Sequence, residues 1–510
     1  MHSWITQSIP QQLYTPEQVR EFEPEAAARA GVSMWQLMQR AGEAAWQCLQ
    51  QCTNNTQPRI AVLCGPGNNG GDGYLLACHA LEAGYQVRVF AHGEPRSEDG
   101  QRALQRWLSL GGQIEPLMEW AEHEPDWVVD ALLGTGLNSA IRGEIRECIE
   151  ALNEASLLVL AIDVPSGLNA NTGTIMGVAV KASCTVTMVA MKKGLTTAMA
   201  ADCIGTLFYA DLGIQREFRL LTEPSAWLLH KEQIAHQLTP RAKVCQKGNF
   251  GHVLVIGGSA GMAGAARMAA TAAMRSGAGK VSVVCEPGEE ALVGMQPELM
   301  VRGLAADTPA AEALLEQATV IAIGPGLGQS AWGKLWWQRF CLRSQDKPVA
   351  AVIDADGLNL LAQQLARGEE LPVAEGAVYT PHPGEAARLL QCSIADIEQD
   401  RWLAAATLQE LLSGTVVLKG AGSIISGPSA TAVNTFGTPA LASAGMGDVL
   451  TGIIAGLLAQ QQALLIEAES AAQTGVMIHS LAAEQAANGH CRGVLASDVI
   501  EHIRTWVNPE

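Results

Sequence analysis

The sequence lacks the features that mark nucleic-acid-binding, secreted and membrane-spanning proteins. Its formal net charge is -18, so the overall field repels phosphates, and an anion site must be built locally from glycine amides and helix N-termini. Residues 1–20 contain no basic patch followed by an apolar run, so we expect no secretory signal. The Ala/Gly-rich stretch 262–280 is interrupted by Arg267 and Arg275, which excludes a membrane span. We therefore expect a soluble, cytoplasmic protein that binds neither nucleic acid nor membrane.

The cysteines form no recognisable metal or disulfide motif. The sequence has 12 of them, scattered along the chain without a Cys-x-x-Cys pair, and Cys48 and Cys52 are the closest couple. Neither a disulfide framework nor a zinc site is predicted. We interpret the cysteines as small buried side chains in a reducing compartment. Short-period repeats and low-complexity tracts are also absent from the sequence, which excludes a solenoid.

Two successive α/β patterns run along the chain, and each predicts a parallel sheet covered by helices. In the first half, the predicted buried strands are 59–64, 86–90, 127–129, 157–162 and 185–189. In the second half, they are 252–256, 280–284, 319–323, 349–353, 377–379 and 415–418. The more polar segment 213–249 separates the two series. We place a domain boundary near residue 225, which gives domains 1–225 and 226–510.

A glycine-rich loop follows the first predicted strand and precedes a helical run. Residues 65–73 read Gly-Pro-Gly-Asn-Asn-Gly-Gly-Asp-Gly, and glycine amides at a helix N-terminus suit a pyrophosphate. The next strand ends Phe-Ala-His-Gly at 90–93, without the carboxylate that binds a ribose, so this is not an ordinary dinucleotide fold. A turn without a ligand is the alternative, although a bare turn does not need Asn68, Asn69 and Asp72.

Two further strands of the first half end in carboxylates. Asp130 opens the segment 130–137 (Asp-Ala-Leu-Leu-Gly-Thr-Gly-Leu), and Asp163 opens the segment 163–167 (Asp-Val-Pro-Ser-Gly). Taken alone, either aspartate could equally well have a purely structural role, as a turn former or a helix cap, or belong to a site. Because ligands of parallel sheets bind beyond the carboxyl ends of the strands, the three loops together predict a site.

These three loops resemble those of the NAD(P)H-hydrate epimerase family, over about residues 10–215. The resemblance implies that a potassium ion is held by Asn69, Asp130 and Ser166, whose oxygens suit a weakly hydrated cation. It also implies that Asp163 contacts the substrate, and Asp163 is our candidate general acid/base at the hydroxyl-bearing ring carbon. The substrate-binding residues implied by the resemblance are Asn68, Asn69, Gly70, Gly71, Asp72, Gly134, Thr135, Gly136, Leu137, Asn138, Ser139, Ala140 and Asp163.

The second half carries small-residue loops and polar residues at the ends of its predicted strands. The segments are 257–265, 324–328 (Gly-Pro-Gly-Leu-Gly), 354–357 (Asp-Ala-Asp-Gly), 380–385 (Thr-Pro-His-Pro-Gly-Glu), 419–423 (Lys-Gly-Ala-Gly-Ser) and 445–448 (Gly-Met-Gly-Asp). The small residues could serve helix–sheet packing alone, and Lys419 could simply be solvated. Asp448, however, lies where glycine amides at a helix N-terminus form an anion hole, so it can accept a hydroxyl proton there. A helix cap is the alternative role of Asp448.

The Gly-x-Gly-Asp pattern is that of ribokinase-like small-molecule kinases, and five of these segments in order resemble the ADP-dependent NAD(P)H-hydrate dehydratase family, over about residues 230–505. The resemblance implies that the hydrated ring binds near Ala263, Gly326 and His382, and that Asp448 is the catalytic base. The implied ADP-binding residues are Lys419, Gly420, Ala421, Gly422, Ser423 and Gly447. Magnesium is expected with ADP, with Glu385 as an indirect ligand.

Together the two resemblances imply a bifunctional enzyme that repairs hydrated NADH and NADPH. A Rossmann-like N-terminal domain would interconvert the R and S hydrates, and a ribokinase-like C-terminal domain would dehydrate the S hydrate with release of AMP and phosphate. We expect a homo-oligomer whose partners are the hydrated cofactors and ADP. Two alternatives stay open: an ATP-dependent kinase of a vitamin precursor or sugar, and a first half that is only a binding scaffold.

Overall fold

A computed structural model describes residues 3–54, 57–369, 371 and 376–509. The chain divides into two units, Met1–Leu228 and Leu229–Glu510, each with helices packed on a largely parallel sheet. The predicted α/β class is therefore confirmed. In the described part of the chain, none of the helices is both long and apolar enough to cross a bilayer.

The strands of the first unit are β1 (Ile5–Thr6), β2 (Gln12–Tyr14), β3 (Ile60–Cys64), β4 (Val87–Ala91), β5 (Ile114–Pro116), β6 (Trp127–Ala131), β7 (Leu158–Ile162), β8 (Cys184–Met188), β9 (Met191–Lys192), β10 (Thr206–Ala210) and β11 (Ala226–Leu228). Its helices are α1 (Pro16–Arg29), α2 (Met34–Cys52), α3 (Asn68–Glu82), α4 (Glu98–Ser109), α5 (Gly143–Glu154), α6 (Ala200–Cys203) and α7 (Gln215–Arg219). The main sheet has the order β1-β10-β8-β7-β6-β3-β4-β5 and is parallel except for β1. β2 pairs with β9 and β11.

The strand order of this sheet reverses between β3 and β6. From β3 the chain adds β4 and β5 on one side and then crosses back to add β6, β7 and β8 on the other. Such a reversal leaves a crevice at the carboxyl edge, where parallel sheets bind ligands. The two loops at this point approach so closely that a Cβ on Gly65 would lie 1.7 Å from the carbonyl oxygen of Leu132. Only glycine fits there.

Both faces of the central strand β3 are buried, which explains its continuous apolar sequence. Ile60, Val62 and Cys64 belong to the core that α2 and α3 cover, whereas Ala61 and Leu63 belong to the core beside α5. The alternation along the strand thus fixes the sheet between two helical layers.

The strands of the second unit are β12 (His252–Ile256), β13 (Lys280–Cys285), β14 (Met300–Gly303), β15 (Val320–Ile323), β16 (Ala350–Ile353), β17 (Val378–Tyr379), β18 (Thr415–Leu418), β19 (Ser423–Ser426) and β20 (Thr431–Asn434). Its helices are α8 (Glu232–Gln237), α9 (Ala263–Arg275), α10 (Glu290–Val293), α11 (Pro309–Gln317), α12 (Ala331–Asp346), α13 (Ala355–Ala366), α14 (Pro383–Leu390), α15 (Ile394–Gln399), α16 (Arg401–Leu412), α17 (Met446–Leu458), α18 (Gln461–Leu464), α19 (Ala468–Ala487) and α20 (Ala496–Trp506). The strand order in this unit is β14-β13-β12-β15-β16-β17-β18-β19-β20, parallel from β14 to β18.

The second sheet also reverses, between β12 and β15. The loops that leave these two strands are joined, because the amides of Gly258 and Ser259 both donate to the carbonyl oxygen of Gly326, at 2.8 and 2.7 Å. The carboxyl edge of this sheet therefore carries a crevice of the same kind.

The strands predicted in both halves are confirmed to within two residues at each end, β12 and β18 without any difference. The strands that were not predicted are β1, β2, β5, β9, β10, β11, β14, β19 and β20. The connecting segment 213–249, expected to be poor in strands, contains α7, β11 and α8.

We predict that Gly452→Ala destabilises the second unit by about 1–3 kcal/mol, the usual cost of overpacking. Gly452 lies where α17 contacts α9, and an added Cβ would lie 2.1 Å from the carbonyl oxygen of Ala269. Gly264→Ala in α9 is the matched control, since its Cβ would enter open space. Calorimetric unfolding of the full chain measures both, and equal stability of the two variants would contradict the packing described.

Candidate active sites

A cavity of about 710 Å³ opens at the carboxyl edge of the first sheet. The predicted residues that line it are Asn68, Asn69, Asp72, Gly134, Thr135, Gly136, Leu137, Asn138, Ser139 and Asp163. Of the remaining predicted residues, Ala140 is exposed and Gly70 and Gly71 are packed inside the unit. A Cβ on Gly70 would lie 2.0 Å from the carbonyl oxygen of Gly65, so this glycine permits close packing of the loop.

Asn69, Asp130 and Ser166 are brought together by one hydrogen-bond network. The hydroxyl and amide of Ser166 donate to the two carboxylate oxygens of Asp130, at 2.6 and 2.8 Å. Leu133 completes the network, because its amide donates to Ser166 Oγ at 2.8 Å and its carbonyl accepts from Asn69 Nδ2 at 2.9 Å. Burial raises the pKa of Asp130 to about 6, although the hydrogen bonds from Ser166 and Leu132 oppose the shift. Carboxylate, hydroxyl and carbonyl oxygens therefore meet beside the cavity.

Asp163 is held at the cavity wall by a buried lysine that the sequence did not indicate. Its backbone is left-handed, with φ of +66°, so the chain turns sharply where β7 ends. Lys192 Nζ donates to Asp163 Oδ1 and, at 2.7 Å, to the carbonyl oxygen of Met188. The Lys192 side chain is 1% exposed, so the pair is shielded from bulk water.

Two more acids surround this ion pair. Glu23 of α1 lines the cavity, and burial raises its pKa to about 7, with Lys192 lowering it and Asp163 raising it. Burial, followed by the charge of Asp163, also raises the pKa of Asp72 well above its usual range. The cavity thus brings carboxyl groups with raised pKa values next to the Lys192–Asp163 ion pair. Such a set can donate and accept protons at one bound molecule.

The second unit places a buried lysine among acids in the same way. Lys419 Nζ lies 2.9 Å from Asp354 Oδ1 and 3.8 Å from Glu385 Oε2. Burial disfavours the Lys419 ammonium, but these two charges outweigh it and raise the pKa of Lys419. Burial also disfavours the charged form of Asp354 and so raises its pKa. The ion pair with Lys419 and the hydrogen bonds from Lys419 and Thr451 outweigh burial, and the pKa of Asp354 is lowered overall. Lys419, predicted to bind phosphates, is thus not simply solvated: the structure pairs it with carboxyl groups.

Asp448 joins this cluster from the first turn of α17. Gly445, with φ of +88°, starts the helix, and a Cβ on Gly447 would lie 3.3 Å from Lys419 Nζ. Burial and the charge of Asp354 raise the pKa of Asp448 to about 7, while Lys419 lowers it. The helix N-terminus, the ammonium group and a proton-accepting carboxyl therefore lie side by side.

His382 and Glu385 cap α14 at the same edge. His382 Nδ1 accepts from the Gly384 amide at 2.9 Å, and the His382 amide donates to Glu385 Oε2 at 2.8 Å. Burial, followed by Lys419, lowers the pKa of His382, so its ring is neutral near pH 7. Burial raises the pKa of Glu385 to about 7, against the effect of Lys419.

The remaining predicted residues of the second unit lie in two loops. Ala263 begins α9. Gly326, with φ of +60°, packs against Met262, the residue before Ala263. The loop of Gly326 adjoins the acid cluster, since a Cβ on Gly324 would lie 1.8 Å from the carbonyl oxygen of Asp354.

Residues 419–423 form the turn between β18 and β19. The amide of Gly420 donates to Ser423 Oγ at 3.4 Å, and Gly420 faces the guanidinium of Arg401. Ala421 and Gly422 complete the turn, where Gly422 has φ of +66°. The predicted ADP-binding segment, which begins with Lys419, is therefore a hairpin turn.

His479 on α19 is a further buried group that the sequence did not reveal. Burial, followed by Lys419, lowers its pKa to about 4, although a hydrogen bond with the Met446 backbone opposes the shift. Within the described part of the chain, its Nε2 is buried without a hydrogen-bond partner. His479 is a neutral polar neighbour of the α17 N-terminus.

The fold and these clusters define the class of protein: an enzyme with two α/β units, each with acid/base groups at the carboxyl edge of its sheet. Comparison with family models agrees with this division. Residues 253–505 match the model described as NAD(P)H-hydrate dehydratase, and residues 35–194 match the model described as YjeF-related protein N-terminus.

Full-length relatives extend the match to nearly the whole chain. The bifunctional NAD(P)H-hydrate repair enzyme Nnr of Coxiella burnetii is 43% identical over 503 residues, which cover 98% of this chain and 99% of that protein. The enzyme of the same name from Escherichia coli is 41% identical over 509 residues, covering 99% and 95%. The chain belongs to the family of bifunctional NAD(P)H-hydrate repair enzymes. It therefore combines an epimerase with a dehydratase, as the sequence motifs predict.

Solved structures align with about half of the chain. A ribokinase-like superfamily protein from Enterococcus faecalis is 32% identical, covers 55% of this chain and 94% of that chain, and has a TM-score of 0.49. The ADP/ATP-dependent NAD(P)H-hydrate dehydratase of Bacillus subtilis, co-crystallized with ATP and Mg²⁺, is 26% identical with 55% and 96% coverage and a TM-score of 0.47.

We predict that Lys419→Met destabilises the second unit by about 3–5 kcal/mol at about pH 8, the scale for breaking a buried ion pair. The loss should shrink as pH falls below about 6, because Asp354 and Glu385 without their cation have raised pKa values and become neutral on protonation. Lys243→Met, at an exposed position of the same unit, is the control. Denaturant unfolding at several pH values measures the effect, and a loss that is independent of pH would contradict the ion-pair assignment.

Proposed function

We propose that the second unit, over residues 226–510, dehydrates the S hydrates of NADH and NADPH at the expense of ADP, with Asp448 as the catalytic base. The observation that carries the assignment is the position of Asp448 at the α17 N-terminus beside Lys419. Its pKa of about 7 supports this role, since a general base works best with a pKa near the working pH.

The reaction begins when Asp448 removes the proton from the ring hydroxyl. The hydroxyl oxygen then forms a bond to the β-phosphorus of ADP, the bond from that phosphorus to the bridging oxygen breaks, and AMP leaves. Inorganic phosphate next leaves the ring carbon while the neighbouring carbon loses a proton. Elimination restores the ring double bond of the dihydronicotinamide. The glycine amides at the start of α17 neutralise charge on the phosphoryl group in transit.

The other residues of the second unit bind and orient the two substrates. The hydrated ring lies near Ala263, Gly326 and the neutral His382. ADP lies along Lys419, Gly420, Ala421, Gly422, Ser423 and Gly447. Lys419 reaches the phosphates while it stays paired with Asp354.

Magnesium accompanies ADP in this proposal. Carboxyl groups of Asp354, Glu385 and Asp448 surround the single ammonium of Lys419, and carboxyl oxygens are the ligands that a hard divalent cation prefers. Glu385 would hold the ion indirectly, and the ion would supply charge neutralisation on the phosphates.

For the first unit, over residues 1–225, we propose that Asp163 is the acid/base group of epimerisation and that Lys192 holds it in place. The hydrated ring occupies the cavity between the glycine-Asn loop and the Gly-Thr-Gly loop. Glu23 and Asp72, whose pKa values are raised, supply the proton donors. Inversion of the hydroxyl-bearing carbon needs a donor and an acceptor, and the cluster contains both.

Potassium is proposed for the network of Asn69, Asp130 and Ser166. The donor set fits a weakly hydrated monovalent cation, because carbonyl, hydroxyl and carboxylate oxygens of Leu133, Ser166 and Asp130 lie together, with the Asn69 side chain beside them. A cation there would favour the ionised form of Asp130 and fix the loop that carries Gly134.

We further propose a cytoplasmic location and a homo-oligomeric state. The twelve cysteines are free thiols, which supports a reducing compartment. Size-exclusion chromatography with light scattering of the full chain tests the oligomeric state.

We predict that Asp448→Asn and Asp163→Asn separate the two activities. Because the amide is isosteric with the carboxyl, Asp448→Asn should keep the fold and lower ADP-dependent dehydration by about 10²- to 10⁴-fold, with epimerisation unchanged. Asp163→Asn should leave dehydration of the S hydrate intact while the R hydrate accumulates. Chromatographic measurement of both hydrates in each variant tests this. Loss of epimerisation in Asp448→Asn would overturn the assignment of independent sites.

We also predict that kcat/KM of dehydration rises with pH through about 7, because Asp448 must be ionised to accept a proton. Asp354→Asn removes a negative charge that raises the pKa of Asp448, so it should move the ascending limb to lower pH. Glu385→Gln is the control that should leave the limb in place. If the limb disappears in Glu385→Gln instead, the base is not Asp448.

A further inference from the structure

Three cysteine thiols of the first unit converge away from the cavity wall. Cys48 and Cys52 lie one turn apart on α2 and therefore face the same side of the helix, while Cys184 begins β8 beneath it. The Sγ atoms of Cys52 and Cys184 lie 3.0 Å apart, and all three Sγ atoms lie within 4.8 Å of one another. The fold thus assembles a thiol cluster from positions far apart in the sequence.

This arrangement differs from the usual buried cysteine, which is a small apolar side chain. A search of the described residues for three or more His, Cys, Asp or Glu side chains that could share one ion finds this cluster. Cys48 and Cys184 are buried, whereas Cys52 is partly exposed and provides access from solvent.

We propose that Cys48, Cys52 and Cys184 form a three-sulfur binding site for a soft monovalent metal ion, of which cuprous copper is the representative. Thiolates select soft ions, whereas the oxygen-preferring ions of the two active sites gain little from sulfur. A structural zinc site needs four ligands in a tetrahedron, and the described residues supply three.

Binding is ligand exchange without electron transfer. Three S–H bonds break and three metal–sulfur bonds form, and the three protons pass to the solvent. Since protons are released, the ion binds more tightly as pH rises.

The site would tie together the two elements that shape the cavity. The first half of α2 contributes Leu37 and Met38 to the cavity wall, and the last residue of β8, Met188, lies there too. The thiols occupy the opposite ends of the same helix and strand. An ion that binds only the folded state raises the melting temperature of the unit that holds it.

The test uses the full-length protein, with the exposed Cys245, Cys392 and Cys491 replaced by Ser to remove background binding. Cuprous ion is added without oxygen, as its acetonitrile complex, in competition with bicinchoninate. We expect one ion per chain, and X-ray absorption should show three sulfur ligands. Loss of an outer-shell partner of a metal site weakens binding by about 10- to 100-fold. Cys52→Ser and Cys184→Ser each remove a direct ligand, so each should weaken binding by more than that.

Cys148→Ser is the matched control, because Cys148 is another buried free cysteine of the same unit, and it should keep full binding. Epimerisation without copper shows whether each variant is folded, and Cys52→Ala is a second variant at the partly exposed position. The proposal is overturned if folded Cys52 and Cys184 variants bind copper like the parent. Two-sulfur coordination, equal loss in Cys148→Ser, or a Cys52–Cys184 disulfide in place of copper binding would overturn it equally.

Discussion

One buried ammonium group facing several carboxyls is the constraint on which both sites depend. Lys192 pairs with Asp163 in the first unit, and Lys419 pairs with Asp354 in the second. A single cation cannot neutralise the further acids around it, and burial makes each uncompensated charge costly. The remaining carboxyls therefore hold protons up to near neutral pH, as Asp448 does with a pKa of about 7. Acid/base groups that work at neutral pH follow from this imbalance.

The fold creates the imbalance at the same place in both units. Each parallel sheet reverses its strand order once, and the loops beside the reversal must cross closely. Gly65 and Gly257 permit this approach, because a Cβ at either position would overlap a backbone carbonyl of the neighbouring loop. Close crossing excludes water from the strand ends that carry the acids, and the low dielectric shifts their pKa values. Two unrelated reactions thus use one structural solution.

Local patterns predicted the strands and the loops, but not the groups that meet only in three dimensions. Runs of β-branched residues marked the central strands, since strands buried on both faces are apolar throughout. Lys192 precedes a second lysine and carries no local sign of burial, and Glu23 lies on a helix far upstream of the other cavity residues. His479 carried no local pattern, and Cys184 is separated from Cys52 by most of the first unit. Such contacts depend on packing across the sheet, which no short window of sequence contains.

Infrared difference spectroscopy of the full-length protein tests the central claim most directly. The spectrum of the parent minus that of Asp448→Asn isolates the carboxyl of Asp448 in its folded environment. The account predicts a protonated-carboxyl band that is present at about pH 6 and is lost by about pH 8, since burial and Asp354 hold that proton to near neutrality. A carboxyl that is already fully ionised at about pH 5, as in an exposed aspartate, would contradict the account.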